Sequence, residues 1–173
     1  MVRHLVLTGA PGAGKTTLLE AAADAGWATS PEVARQLLRA PGGMALRAED
    51  PEGFAEAMLA AHRREFERFA EHPGPVVFDR GFPDVVGFLD LAGLSIPRAV
   101  DEACRALRYE GRVWRAPAWR AIYRQDNERI QDFAEAVASD GAVTAAWRRY
   151  GYAVSDLPLA PVAERLAVLR AAL

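Results

Sequence analysis

An α/β fold built on a parallel sheet is what this 173-residue chain predicts, and three observations carry the prediction. Residues 2–8 are a short apolar run that leads straight into Gly9-Ala10-Pro11-Gly12-Ala13-Gly14-Lys15-Thr16, a full match to the Walker A phosphate-loop pattern. A Leu- and Ala-rich helical run over residues 16–25 follows at once, so the pattern sits between a strand and a helix, where it has physical meaning. Further short β-rich runs then alternate with helical stretches to the end of the chain, which implies a parallel sheet with right-handed crossovers. In such sheets ligands bind beyond the carboxyl ends of the strands.

The elements follow in order. Residues 27–29 are the second strand. Ser30-Pro31-Glu32 reads as a helix start, with Ser as N-cap, Pro at the first helical position and an acid in the first turn. That helix runs to about Arg39, and Pro41-Gly42-Gly43 breaks it. Asp50-Pro51-Glu52 opens another helix by the same chemistry. Its apolar face carries Phe54, Met58, Ala61, Phe66 and Phe69, and His62 shares the Met58 and Phe66 side as a semi-buried or pocket histidine. Residues 76–78 form the third strand and end in Asp79-Arg80-Gly81. Helices are expected over 82–91 and 97–107, and a fourth strand over 111–114. An arginine-rich segment follows over 115–131, and a helix continues from it to about Tyr150. The fifth strand covers 151–155, and residues 162–173 close the chain as a helix.

Composition narrows the classes. With 51% apolar residues the chain can bury the core of a single domain spanning residues 1–173. A net charge of −2 gives no reason to expect nucleic-acid or membrane attraction. Cys104 is the only cysteine and cannot form an internal disulfide, so a reducing cytoplasm suits it; a buried helical position is expected. No apolar run reaches membrane-spanning length, and the first apolar stretch reads as a strand rather than a signal peptide.

The basic residues single out one position. Of 21 Lys and Arg side chains, all but Lys15 are arginine. A solvated charge elsewhere in this chain is an arginine. At Lys15 a compact ammonium that fits among phosphate oxygens is required, and a planar guanidinium does not fit. The loop residues Gly9, Ala10, Pro11, Gly12, Ala13 and Gly14 are expected to turn tightly and aim backbone N–H groups at phosphate, helped by the helix N-terminus. Lys15 would reach the β and γ phosphates. Thr16 would ligate Mg²⁺, and Thr17 would meet the α-phosphate. ATP and Mg²⁺ are therefore the expected cofactors.

Carboxylates and arginines complete the candidate site. Asp79 ends an apolar strand, as a Walker B aspartate does, and would hold Mg²⁺ opposite Thr16; a strand-end cap or a salt bridge to a neighbour is the plain alternative. Arg80 could contact phosphate or acceptor, or pair structurally with an acid. Glu32 is the candidate general base for an acceptor hydroxyl, against the plain role of an acid stabilising a helix dipole. Glu32 and Asp79 could exchange roles. Arg120, Arg124 and Arg129 lie between the fourth strand and the long helix and are read as lid arginines acting on the transferring phosphoryl group, or else as a solvated helical face. Trp114, Trp119 and Tyr123 read as core or lid packing before base stacking.

These residues together resemble the nucleotide-kinase branch of the P-loop proteins, in particular a group of small predicted AAA-type ATPases similar to ribosylnicotinamide kinase. The resemblance rests on residues 8–17, Pro31-Glu32-Val33-Ala34-Arg35, Phe78-Asp79-Arg80-Gly81 and Ile122-Tyr123-Arg124-Gln125-Asp126-Asn127-Glu128-Arg129. The Asp-Arg-Gly is similar to the Asp/Glu-Arg motif of thymidylate and deoxynucleoside kinases. The resemblance implies a P-loop three-layer sandwich whose five-stranded parallel sheet has the order 2-3-1-4-5, with helices on both faces and a lid after strand 4. It also implies a proton-accepting acid after the second strand, which supports Glu32. Insertions over residues 40–70 and 82–110 would form the acceptor side. A hydrolytic AAA+ motor would place a Glu after the Walker B Asp, and here Arg80 follows. A GTPase would need a second lysine for its Asn-Lys-x-Asp motif.

The expected function is thus transfer of the γ-phosphate of MgATP to a small hydroxyl acceptor, such as a nucleoside or ribosyl compound. A nucleotide-switched regulator with a protein partner, or a slow NTPase, is the alternative.

Overall fold

In the computed structural model, residues 3–123 and 132–173 are described. Five parallel strands form one sheet in the order β2-β3-β1-β4-β5, as expected. The elements run β1 (Arg3–Gly9), α1 (Lys15–Asp24), β2 (Ala28–Ser30), α2 (Val33–Arg39), α3 (Gly43–Glu49), α4 (Pro51–Arg68) and β3 (Pro75–Asp79). They continue as α5 (Phe82–Leu91), α6 (Arg98–Ala106), β4 (Val113–Ala116), α7 (Phe133–Arg149), β5 (Val154–Asp156) and α8 (Val162–Ala171).

Period-2 alternation divides the strand side chains between two cores. Val6, Val76, Phe78 and Val113 point to one face, where α4, α5 and α7 contribute Phe54, Phe82, Val86 and Trp147. Leu5, Leu7, Val77 and Trp114 point to the other, against Leu18 and Ala22 of α1 and Leu169 of α8. The result is a three-layer sandwich. Cys104 is buried and free on α6. Among the described residues no helix is long and apolar enough to cross a membrane.

Four local expectations are corrected. Ser30 is not a helix cap: it stays in β2, in register with Phe78, and Glu32 stands at the N-cap position of α2 without a side-chain cap bond. The reason is that the Glu32 carboxylate is held by Arg80 instead. The Gly42-Gly43 pair starts α3 rather than only breaking α2; a side-chain carbon at Gly43 would collide with the Leu37 carbonyl, so close helix approach explains it. The fourth strand is Val113–Ala116, shifted from 111–114, because Gly9 pairs with Ala116; the charge of Arg115 is matched by Asp140 and Asp156. The fifth strand begins only at Val154, since Gly151 at φ 80° ends α7 while the Tyr152 N–H donates back to the Trp147 carbonyl.

By contrast, Asp50 caps α4 as read, accepting from the Gly53 N–H with Pro51 in the first turn.

Candidate active site

The carboxyl ends of β1, β2 and β3 meet where the chain turns from β1 into α1. Gly9 has φ 108°, and any Cβ there would collide with the Ala116 carbonyl, which accepts the Ala10 N–H at 3.0 Å. Gly12 and Gly14 also take positive φ, at 69° and 79°. These three positions bend residues 9–14 into a loop that folds back over the start of α1. Ala10 and Ala13 are buried, and Pro11 lines the cavity described below. Thr16 and Thr17, in the first turn of α1, are exposed. The Lys15 ammonium is buried and donates to the Ala10 carbonyl at 2.6 Å.

The loop is braced from below by a residue that sequence reasoning missed. Arg165 of α8 is buried and donates from Nη1 to the Ala13 carbonyl at 2.8 Å. Its sequence context is an ordinary helix, so no local signal marks it.

Asp79 ends β3 opposite Leu7 and is 2% exposed. Its Oδ1 is buried and has no hydrogen-bond partner in the protein. Buried carboxylate oxygens are seldom left so, and a cation or water commonly meets them. Asp79 and Thr16 thus fit a magnesium site completed by phosphate and water oxygens, the usual mode for Mg²⁺. No group of three or more His, Cys, Asp or Glu that could hold a metal is found among the described residues.

Arg80 is the hub. It sits at φ 72°, a left-handed conformation that non-glycine residues seldom adopt. Its guanidinium donates from Nε to Glu32 Oε1 at 3.1 Å, and from Nη1 to Asp84 Oδ1 at 3.0 Å and the Gly9 carbonyl at 3.1 Å. Arg35 approaches Glu32 at 3.7 Å. The structural pair expected as one alternative for Arg80 is therefore formed. Asp84, which the sequence shows only as an acid in a helix first turn, accepts from the Thr8 hydroxyl, the Gly81 N–H and the Trp147 indole as well.

Charges in this cluster govern one another. Burial alone would raise the Glu32 pKa, but Arg80, Lys15 and Arg35 outweigh it and hold the carboxyl down at about 2. Burial, reinforced by the Glu32 charge, pushes Asp79 up to about 7 against the pull of Lys15 and Arg80. Burial and the Arg80 charge bring Lys15 down to about 8.

A cavity of about 530 Å³ opens beside Glu32 and Arg80. Its apolar wall includes Leu38, Phe54, Met58 and Phe88. His62 also lines it, 3% exposed, with its ring centroid 6.0 Å from that of Phe82. Burial is the main cause that brings the His62 pKa down to about 4, so its imidazole is neutral at pH 7. Of the two sequence readings of His62 the structure matches the pocket-lining position, and the side chain is buried rather than semi-buried.

The segment after β4 is placed in part. Arg120 lies with its guanidinium carbon 4.9 Å from the Phe133 ring centroid, and Tyr123 also packs on Phe133. The Ile122 Cδ1 comes within 3.4 Å of where a Gly14 Cβ would stand, so this segment reaches the phosphate loop. Trp114 is buried in the core. Arg124 and Arg129, assigned to the lid, lie outside the described residues.

Comparison with known proteins matches the fold. A family model described as an AAA domain matches residues 4–165. No curated protein matches the chain. Deoxyadenosine kinase from M. mycoides, solved with dCMP and dCDP, is similar at a TM-score of 0.71 and 12% identity over 97% of each chain. The same enzyme with bound dATP gives 0.70 and 13%, again over 97% of each chain. The NadR protein in complex with NR gives 0.68 and 14%, covering 99% of this chain and 49% of that one. At these identities the likeness concerns the fold.

Proposed function

The chain belongs to the AAA domain family, and we propose that it is an ATP-dependent phosphotransferase acting on a small hydroxyl acceptor of the nucleoside or ribosyl class. One observation carries the proposal. Glu32 lines, together with Pro11 of the phosphate loop, a cavity of about 530 Å³, and is ionised and tied at 3.1 Å to Arg80, which also donates to the Gly9 carbonyl of that loop. That volume suits a small-molecule ligand. A nucleotide switch or a slow NTPase would use the loop and Asp79 but has no need of such a cavity at its carboxylate. The fold shared with deoxyadenosine kinase and NadR supports the same class.

In this reading the loop from Gly9 to Gly14 binds phosphate through backbone N–H groups, and Thr17 contacts the α-phosphate. Lys15 leaves the Ala10 carbonyl for the β and γ phosphates. Thr16 and Asp79 hold Mg²⁺, which supplies charge neutralisation on the transferring group when bound. Glu32 orients the acceptor hydroxyl and receives its proton as the new oxygen–phosphorus bond forms and the bond to the β-phosphate oxygen breaks, releasing ADP. Arg80 fixes the Glu32 carboxylate. Arg120, in the segment whose Ile122 reaches Gly14 of the phosphate loop, brings positive charge towards the γ-phosphate. The insertions over residues 40–70 and 82–110 shape the acceptor side of the single domain.

The test is ADP release from MgATP with and without a panel of nucleosides and ribosyl compounds. Strong stimulation by one acceptor supports a kinase. A flat response with nucleotide still bound supports the regulator.

A further inference from the structure

Arg165 carries a charge that the fold leaves unmatched. Its side chain comes from α8, is 3% exposed, and donates from Nη1 to the Ala13 carbonyl at 2.8 Å. Its Nε is buried and finds no acceptor among the described residues. No carboxylate among the described residues pairs with it, whereas Arg80 and Arg115 each meet two acids. Burial alone therefore acts on its ionisation and draws the pKa below its ordinary value, with no acid to offset it. An arginine does not shed its proton in a protein, so the cation stays. An unpaired buried charge costs stability.

The place of this charge gives the cost a use. The Ala13–Gly14 peptide is trans, so its carbonyl and its N–H point in opposite directions. The carbonyl is turned to Arg165, so the Gly14 N–H is turned away from it, and no acceptor among the described residues takes that N–H. Gly14 sits at φ 79°, and a glycine lets such a peptide rotate between orientations unless something holds it. A Cβ at Gly14 would stand 2.8 Å from Arg165 Nη1, so the missing side chain also makes room for the guanidinium. The next residue is Lys15, which opens α1.

We propose that Arg165 is a positioning residue for nucleotide binding: it locks the Ala13–Gly14 peptide with its N–H offered to phosphate, and its own charge is answered when the phosphates of a nucleotide occupy the loop. The proposal rests on the nucleotide-binding part of the reading above and needs no acceptor. A charged donor on the Ala13 carbonyl polarises the peptide and strengthens its N–H as a donor. The same cation attracts phosphate through a loop of low dielectric. A contact that served stability alone would not need the charge, because a buried ion replaced by an apolar side chain of similar volume commonly costs nothing. The C-terminal helix is thereby coupled to the phosphate site.

The test compares Arg165→Met and Arg165→Lys with the wild-type chain, by urea unfolding without nucleotide and by calorimetric titration with MgADP. Met keeps an apolar stem without charge, and Lys keeps a charge and a donor. Without nucleotide the Met variant is expected to be at least as stable as wild type. It should bind MgADP about tenfold more weakly, the scale of one charge-assisted contact, and the Lys variant should recover most of that affinity. A merely structural role would lower the stability of the nucleotide-free Met variant. That loss of stability, a Met variant that fails to fold, an unchanged MgADP affinity, or a Lys variant as weak as the Met variant overturns the proposal. Wild-type binding of MgADP without acceptor-stimulated ADP release removes the kinase reading and leaves Arg165 in its role. A wild-type chain that binds no nucleotide removes both.

Discussion

Arg80 Nε and Glu32 Oε1 stand 3.1 Å apart, and this pair sets what each residue can do. Held at about 2, the Glu32 carboxyl is ionised at any working pH and is a weak base. Its part is to orient the hydroxyl and take the proton late. Asp79, at about 7, is the stronger base in the free protein, but a bound cation there would draw its pKa down and engage the oxygen. Glu32→Gln leaves Arg80 with Asp84 and the Gly9 carbonyl as acceptors, so the cluster should stay in place. MgATP binding should persist and transfer should slow by roughly 10²–10⁴, the range for a lost proton acceptor. Single-turnover kinetics with a binding titration decides this. Lost binding with unchanged transfer per bound ATP would mean that Glu32 is not the base.

Arg80 also stores backbone strain at φ 72°. Arg80→Ala and Arg80→Gly lose the same ion pairs, but only glycine relaxes the left-handed backbone. The glycine variant should be the more stable of the two by about 1 kcal/mol in urea unfolding. Equal stabilities would show that the strain is not felt.

Asp84 gathers four donors: the Thr8 hydroxyl, the Gly81 N–H, Arg80 and the Trp147 indole. Asp84→Ala takes one of two carboxylate partners from the buried Arg80, which keeps Glu32 and the Gly9 carbonyl, and removes the acceptor of the Thr8 hydroxyl, the Gly81 N–H and the Trp147 indole. It should cost about 3–5 kcal/mol, the range for removing one partner of a buried pair. Chemical denaturation measures it, and a loss under about 1 kcal/mol would show that the network is redundant.

His62 gives the fold an acid-sensitive element. Its pKa is lowered to about 4, mainly by burial, so above about pH 6.5 the ring is neutral in both folded and unfolded chains. As pH falls from 6.5 towards 4 the unfolded chain takes up a proton that the folded chain refuses, and stability is lost. The full effect is on the order of 3 kcal/mol. His62→Gln should flatten this part of the pH dependence between unfolding series at pH 7.5 and pH 5. Parallel curves for the two proteins would contradict it.

The phosphate loop and the strand ending in Asp79 were legible because local chemistry dictates them, whereas the sheet order came only with the resemblance that those motifs carry. Glycines at 9, 12 and 14 and alternating apolar strands carry their meaning in a few adjacent residues. Asp84 and Arg165 were not legible, since each acts on a partner far along the chain: Asp84 on Thr8 and Trp147, Arg165 on Ala13. The start of α2 was misplaced for the same reason. Ser-Pro-Glu reads as a capped helix start, and only the fold shows that Arg80, 48 positions away, claims the Glu32 carboxylate.

The most direct test follows the γ-phosphate itself. Wild-type protein and Lys15→Ala are incubated with MgATP labelled at the γ position and an acceptor panel, and the label is traced to product. The account predicts label on an acceptor hydroxyl with wild-type protein, and most of that transfer lost in a folded Lys15→Ala variant. Label appearing only as inorganic phosphate at an acceptor-independent rate, or transfer undiminished without Lys15, would contradict it.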